Sequence, residues 1–142
     1  MLIGDESAPV HRRRKPDGGL RSKFRDALGK KGWQFTPIET GTIVSGVPDA
    51  EFCSPKGVTG WIEFKFVSSG AAVGLRPAQV SWIDRRHRLG GRVFVAVEKG
   101  GDVSLYDGSG VKELKRHGLA SSVGLLYRGR DWDQIRRLLS SE

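Results

Sequence analysis

Three residues near the middle of the chain have the types and spacing to do chemistry together: Asp49, Glu63 and Lys65. Glu63 and Lys65 interrupt the apolar run Trp61, Ile62, Phe64, Phe66. If that run is a strand, its side chains alternate between two faces. Ile62, Phe64 and Phe66 then share one face, while Trp61, Glu63, Lys65 and Val67 share the other. The turn-rich link "SPKGVT" joins this run to the preceding "VPDAEFC", and a hairpin of that length would set Asp49 beside Glu63. Two carboxylates at close range raise each other's pKa unless a cation sits between them. A hard divalent ion such as Mg²⁺ suits that oxygen-rich patch and keeps positions open for phosphate oxygens. It would activate a water and stabilise charge developing on a phosphate, and the Lys65 ammonium would add to that stabilisation. The patch reads as a phosphodiester-cleaving site.

The elements that must position these residues follow from periodicity. "LRSKFRDALGKKG" places Leu20, Phe24, Ala27 and Leu28 at helical spacing and stops at Gly32. "WQFTPIETGTIVSG" reads as extended, and "VPDAEFC" and "GWIEFKFV" as two strands. "SSGAAVG" is a loop, and "RPAQVSWIDRRHRLGG" is a helix with Pro77 at its first position and Gly90 as its stop signal. "RVFVAVEKG" predicts a strand buried on both faces, with "DVSLYDGS" as its antiparallel neighbour across Gly100–Gly101. "GVKELKRHG" and "DWDQIRRLLSSE" predict two short terminal helices. The expected order is α-β-β-β-α-β-β-α-α, an α/β fold with a mixed central β-sheet flanked by helices. Residues 1–19 form a basic N-terminal arm, and 20–142 a single domain with a helical C-terminal extension.

Composition narrows the class. The chain has 142 residues, enough for one core. Its single cysteine, Cys53, excludes an internal disulfide and a cysteine-based zinc site. No apolar run is long enough to span a membrane, and the N-terminus lacks the apolar stretch of a secretory signal. A soluble, cytoplasmic protein is expected. Lys+Arg total 24 against 16 Asp+Glu, a formal net charge of +8. Nine Lys and Arg residues lie between His11 and Lys31, facing only Asp17 and Asp26. Such clusters attract polyanions by releasing condensed counterions, although a charge run can also be a solvated face. On the first reading Arg12, Arg13, Arg14 and Lys15 of the arm, Arg21 and Lys23 of the first helix, and Arg76, Arg85, Arg86 and Arg88 would hold nucleic-acid phosphates.

Taken one at a time these residues have ordinary explanations. Asp49 after Pro48 could shape a turn, and Glu63 with Lys65 could be a surface charge pattern. As an ordered set they resemble something more specific. "PD" at Pro48–Asp49 followed by "EFK" at Glu63–Lys65 resembles the signature of the PD-(D/E)XK nucleases. The context "SGVPD", "WIEFK" and "LRPAQVSWIDRRHRLGGRVFVAV" is similar to the VRR-Nuc-type branch, with Gln79 in the helix after the E-x-K strand. The resemblance spans roughly Leu20 to Val97 and implies an endonuclease-like core shared with phage and archaeal Holliday-junction resolvases.

Carried over by residue, the resemblance makes Asp49 and Glu63 metal ligands, with the backbone carbonyl of Phe64 as a third. It makes Lys65 the catalytic lysine and sets Gln79 beside the site. Relatives often carry a glutamate in the first helix; here Asp26 or Glu39 would have to supply an extra acid. The implied function is Mg²⁺-dependent cleavage of branched DNA, with Mn²⁺ substituting, by a homodimer in a bacterial or phage-infected cell. A non-catalytic nucleic-acid-binding protein on the same scaffold stays open, as does a nuclease of restriction, nicking or RNase specificity. Trp33 and Trp82 read as core or interface aromatics, and Cys53 as a small buried hydrophobe.

Overall fold

A computed structural model of the protein describes residues 17–39 and 45–141. In chain order the elements are α1 (Leu20–Gly29), β1 (Gln34–Pro37), β2 (Ala50–Cys53), β3 (Thr59–Phe66), α2 (Pro77–Arg88), β4 (Val93–Lys99), β5 (Asp102–Asp107), α3 (Val111–His117), β6 (Leu125–Gly129) and α4 (Trp132–Leu139). Short 3₁₀ turns, Gly108–Gly110 and Gly118–Ala120, flank α3. The strands form one six-stranded sheet whose spatial order follows their chain order. β3 and β4 run parallel, and every other neighbouring pair is antiparallel. A parallel pair needs a crossover, and α2 provides it. The expected mixed α/β architecture is therefore present.

Both faces of the sheet are covered. On one, Ile62, Phe64, Phe94 and Ala96 pack with Leu20, Phe24 and Leu28 of α1 and Ile135 and Leu139 of α4. Phe24 sits at the centre, its ring 5.0 Å from that of Phe64 and 4.8 Å from that of Trp132. On the other face, Val93, Val95, Val97 and Tyr106 meet Ile83 of α2 and Val111 and Leu114 of α3. β4 is buried from Val93 through Glu98, as a central strand covered on both sides requires. Fully burying one such side chain contributes about 1.5–3 kcal/mol.

Two expectations are corrected. The C-terminal region is not helical throughout: β6 pairs with β5 and forms the sheet edge, so the order is α-β-β-β-α-β-β-α-β-α. α4 is no appendage either, since Ile135 and Leu139 are fully buried in the core shared with α1. Residues 17–19, expected to belong to the arm, form a turn that leads into α1. The Asp17 carboxylate accepts from the backbone N–H of Gly19 (2.9 Å) and of Arg21 (3.1 Å), and this cap starts α1. Gly18, with φ of 64°, lies so close to Phe66 that a Cβ would meet its ring at 2.4 Å.

Candidate active site

The site forms where β2 leaves the ladder before β3 ends. Ala50 pairs with Ile62, so the next position outward sets Asp49 opposite Glu63. With no β2 residue left to pair Phe64 on that edge, the Asp49 Oδ2 accepts its backbone N–H at 2.9 Å. In a strand the N–H and C=O of one residue point to the same edge. The carbonyl of Phe64 is therefore directed toward the same side as Asp49. β1 extends the arrangement, with Ile38 donating its N–H to the Asp49 carbonyl at 2.8 Å.

Glu63 and Lys65 project from the face covered by α2, as alternation requires. Glu63 is nearly inaccessible at 2% exposure. Its Oε2 accepts from Gln79 Nε2 at 2.9 Å and lies 3.4 Å from Lys65 Nζ. Its Oε1 is buried and has no hydrogen-bond partner among the described residues. Lys65 is held in turn by the Gly74 carbonyl and by Gln79 Oε1, each at 3.0 Å. Gln79 thus joins acid to amine, and its Oε1 also accepts the Arg76 N–H at 2.9 Å at the start of α2. Gly46 fixes the approach of the chain to that helix: its φ is 83°, and a Cβ there would lie 2.1 Å from the Ala78 carbonyl oxygen.

Burial controls the electrostatics. The Glu63 carboxyl is pushed up from 4.5 to about 8, chiefly by burial and next by the neighbouring Asp49 charge, with Lys65 opposing. The Asp49 carboxyl is also raised, chiefly by burial; the Phe64 N–H, Lys65 and Arg21 act against this, and Asp17 adds to it. Both acids thus resist ionisation chiefly because they are buried, with Lys65 offsetting part of that cost. The site opens into a cleft of about 520 Å³ lined by both acids, Phe64, Lys65, Gln79, Asp17, Arg21 and Arg76.

The cleft brings together Asp49, Glu63, Lys65, Gln79, Arg21 and Arg76 from the expected set. Other members go elsewhere. Glu39 is exposed and lines no part of the cleft. Asp26 is exposed on α1, where it pairs with Arg25 at 3.1 Å. The acid at the start of α1 that does face the cleft is Asp17, missed because it fell inside the stretch read as an arm. Its signal was an Asp shortly before a helical period, which marks a cap. Lys23 pairs with the buried Glu98 at 2.8 Å. Arg86 is committed to packing, its guanidinium 5.3 Å from the Trp61 ring and 4.4 Å from that of Trp82. Arg88 pairs with Asp84 at 2.9 Å and Arg85 is exposed on α2. Arg12, Arg13, Arg14 and Lys15 lie outside the described residues.

Among the described residues, no three or more His, Cys, Asp or Glu side chains cluster as a metal site. The donors at hand are two carboxylates and a backbone carbonyl, a hard-oxygen set of the kind Mg²⁺ accepts when water completes its shell. No helix among the described residues is long and apolar enough to cross a membrane. No protein-family model and no curated protein matches the chain.

Proposed function

We propose that the chain is a metal-dependent DNA endonuclease that hydrolyses phosphodiester bonds and prefers branched DNA. One observation carries the reading: Asp49 and Glu63 converge at a strand end beside Lys65, and the buried Glu63 Oε1 has no partner. An orphaned buried carboxylate oxygen costs about 1–3 kcal/mol or more, and a cation would offset that cost. Asp49, Glu63 and the Phe64 carbonyl would hold Mg²⁺. When bound, the ion would lower the pKa of a water and neutralise charge on the phosphate.

The chain's own groups do the rest. Lys65, anchored to Gly74 and Gln79, keeps an ammonium at the acids where negative charge develops. Gln79 is a positioning residue: it holds Glu63 in one rotamer and keeps Lys65 close without competing for its charge. Arg21 and Arg76 at the cleft wall would orient the substrate through its phosphates. Preference for branched DNA and a homodimeric state rest on the resemblance of the sequence motifs. The test is incubation of purified protein with Mg²⁺, and separately Mn²⁺, on four-way junctions, nicked and linear duplexes, and RNA. Junction cleavage that Asp49→Ala abolishes is the expected result. Binding without cleavage in both metals would instead make the cleft a non-catalytic one.

A further inference from the structure

A second cavity, of about 790 Å³, lies at the tip of the β2–β3 hairpin, the end remote from Asp49 and Glu63. Trp33 and the hairpin turn line it, and three separate segments bring cations to its walls: Lys31 after α1, Lys56 in the turn, and Arg136 and Arg137 in α4. The one acid among its lining residues is Asp133. That acid is engaged by Arg136, whose guanidinium also donates to the Ala27 carbonyl at 2.9 Å. Arg136 is thereby a fixed wall. Arg137 donates to the neutral Gln134 Oε1 at 3.2 Å. Among the described residues no carboxylate lies within ion-pair distance of Lys31, Lys56 or Arg137.

Three cations without a direct ion pair, sharing the cavity with one carboxylate that Arg136 already engages, differ from a charge run along one helix, which solvent accounts for by itself. Here the fold concentrates like charge around a concavity, an arrangement that repels itself unless an anion enters. We propose that this cavity is a second binding site for the phosphate backbone of a nucleic-acid strand. The choice of ligand rests on the proposed function; the site itself does not depend on catalysis. From Asp49 to Ser54 the chain takes five residue steps through β2, at most roughly 17 Å at about 3.4 Å each. A stacked strand advances about 3.4 Å per nucleotide, so the cavity engages backbone about five nucleotides from the cleft. Two anchors at that spacing fix the direction in which a strand crosses the protein.

The experiment measures binding of the full-length protein to a fluorescent duplex and to the same strand alone, in EDTA, from 50 to 300 mM salt. The triple variant Lys31→Ala, Lys56→Ala, Arg137→Ala is compared with a control that removes equal charge elsewhere: Lys112→Ala, Arg116→Ala, Arg130→Ala. All six side chains are exposed, and circular dichroism checks each fold. The slope of log affinity against log salt should become shallower by about 2 to 3 in the cavity variant, at about 0.9 per lost phosphate contact on duplex. The control should keep the wild-type slope. Equal losses in both variants, an unchanged slope in the cavity variant, or no binding by wild type would overturn the site. A third arm adds a free 5′-mononucleotide; binding tighter than the strand's, and lost in the cavity variant, would mark a small-molecule site and overturn the proposal too. If junctions stay uncut while the cavity variant loses slope, the site stands and the endonuclease reading falls.

Discussion

Replacing Glu63 by Gln should stabilise the metal-free protein at alkaline pH. Glu63 is raised from 4.5 to about 8, first by burial and then by the Asp49 charge. Between those values the folded state holds a proton that the unfolded chain has released. Stability therefore falls as pH rises, by about 1.36 kcal/mol per pH unit. Below pH 4.5 both states are protonated and no penalty exists; above about 8 the penalty is complete. Three and a half pH units set a ceiling of roughly 5 kcal/mol, and relaxation with water entry reduces it to about 2–3 kcal/mol. Glu63→Gln carries no charge at any pH and still offers an oxygen to the Gln79 amide, so it escapes this loss. The assay is urea unfolding of both proteins in EDTA at half-unit steps from pH 4.5 to 9. The two curves should nearly coincide near pH 4.5 and diverge steadily to pH 8.5, with the variant more stable. Parallel curves across that window, or a variant weaker at pH 8.5 than at 4.5 relative to wild type, would refute the link between burial and charge at this position.

Other outcomes test the same geometry. At pH 8, Mg²⁺ at one hundred times its dissociation constant should raise wild-type stability by about 2.7 kcal/mol, and Asp49→Ala and Glu63→Gln should lose that gain; thermal shifts with and without EDTA read it directly. Gln79→Ala removes one of the acceptors that hold Lys65 and leaves Glu63 Oε2 with one partner fewer, so it should cost about 1–3 kcal/mol in unfolding free energy. Junction cleavage by that variant should fall about 10–100-fold, and an unaltered rate would remove Gln79 from the site. Gly46→Ala drives a Cβ into the Ala78 carbonyl from a backbone conformation with φ of 83°. It should lose roughly 2–4 kcal/mol, and a wild-type urea midpoint would show that the approach to α2 is not tight.

Much of the site was written in local pattern. Alternation from Trp61 to Phe66 assigns Glu63 and Lys65 to one face, and the length of the "SPKGVT" link places Asp49 opposite Glu63; the Ala50–Ile62 pairing follows that register. The burial of Glu63 was not legible, because a strand does not reveal what covers its far face. That cover is α2, and its Gln79 reaches Glu63 across a sequence gap no periodicity spans. Asp17 was hidden for a different reason: its role is set by two backbone N–H groups at the first turn of α1, and nearby charge drew it into the arm. β6 was missed because Leu125–Gly129 is short, with glycines at 124 and 129 and two leucines in succession, which blurs a period of two. Only its pairing with β5 makes it a strand. Arg86 counted as a phosphate contact by charge, while the two tryptophans that hold it are 21 residues apart in sequence.

The placement of α2 between the two parallel strands has a consequence for the order in which the protein is built. β1, β2 and β3 form an antiparallel meander complete by Phe66. Its pairings are closer in sequence than those of β3 with β4, so it incurs less loop-closure entropy and can form earlier. Asp49 and Glu63 come together in that unit. The groups that restrain Lys65 and Glu63, the Gly74 carbonyl and the Gln79 amide, arrive only when α2 crosses over and β4 docks beside β3. Two acids would thus meet before their polar scaffold does, and the ordered site would mature with the strand pairing of longest sequence separation, β3 with β4. In a chain growing from its N-terminus, the candidate site would become rigid only after Lys99, the end of β4, has been added.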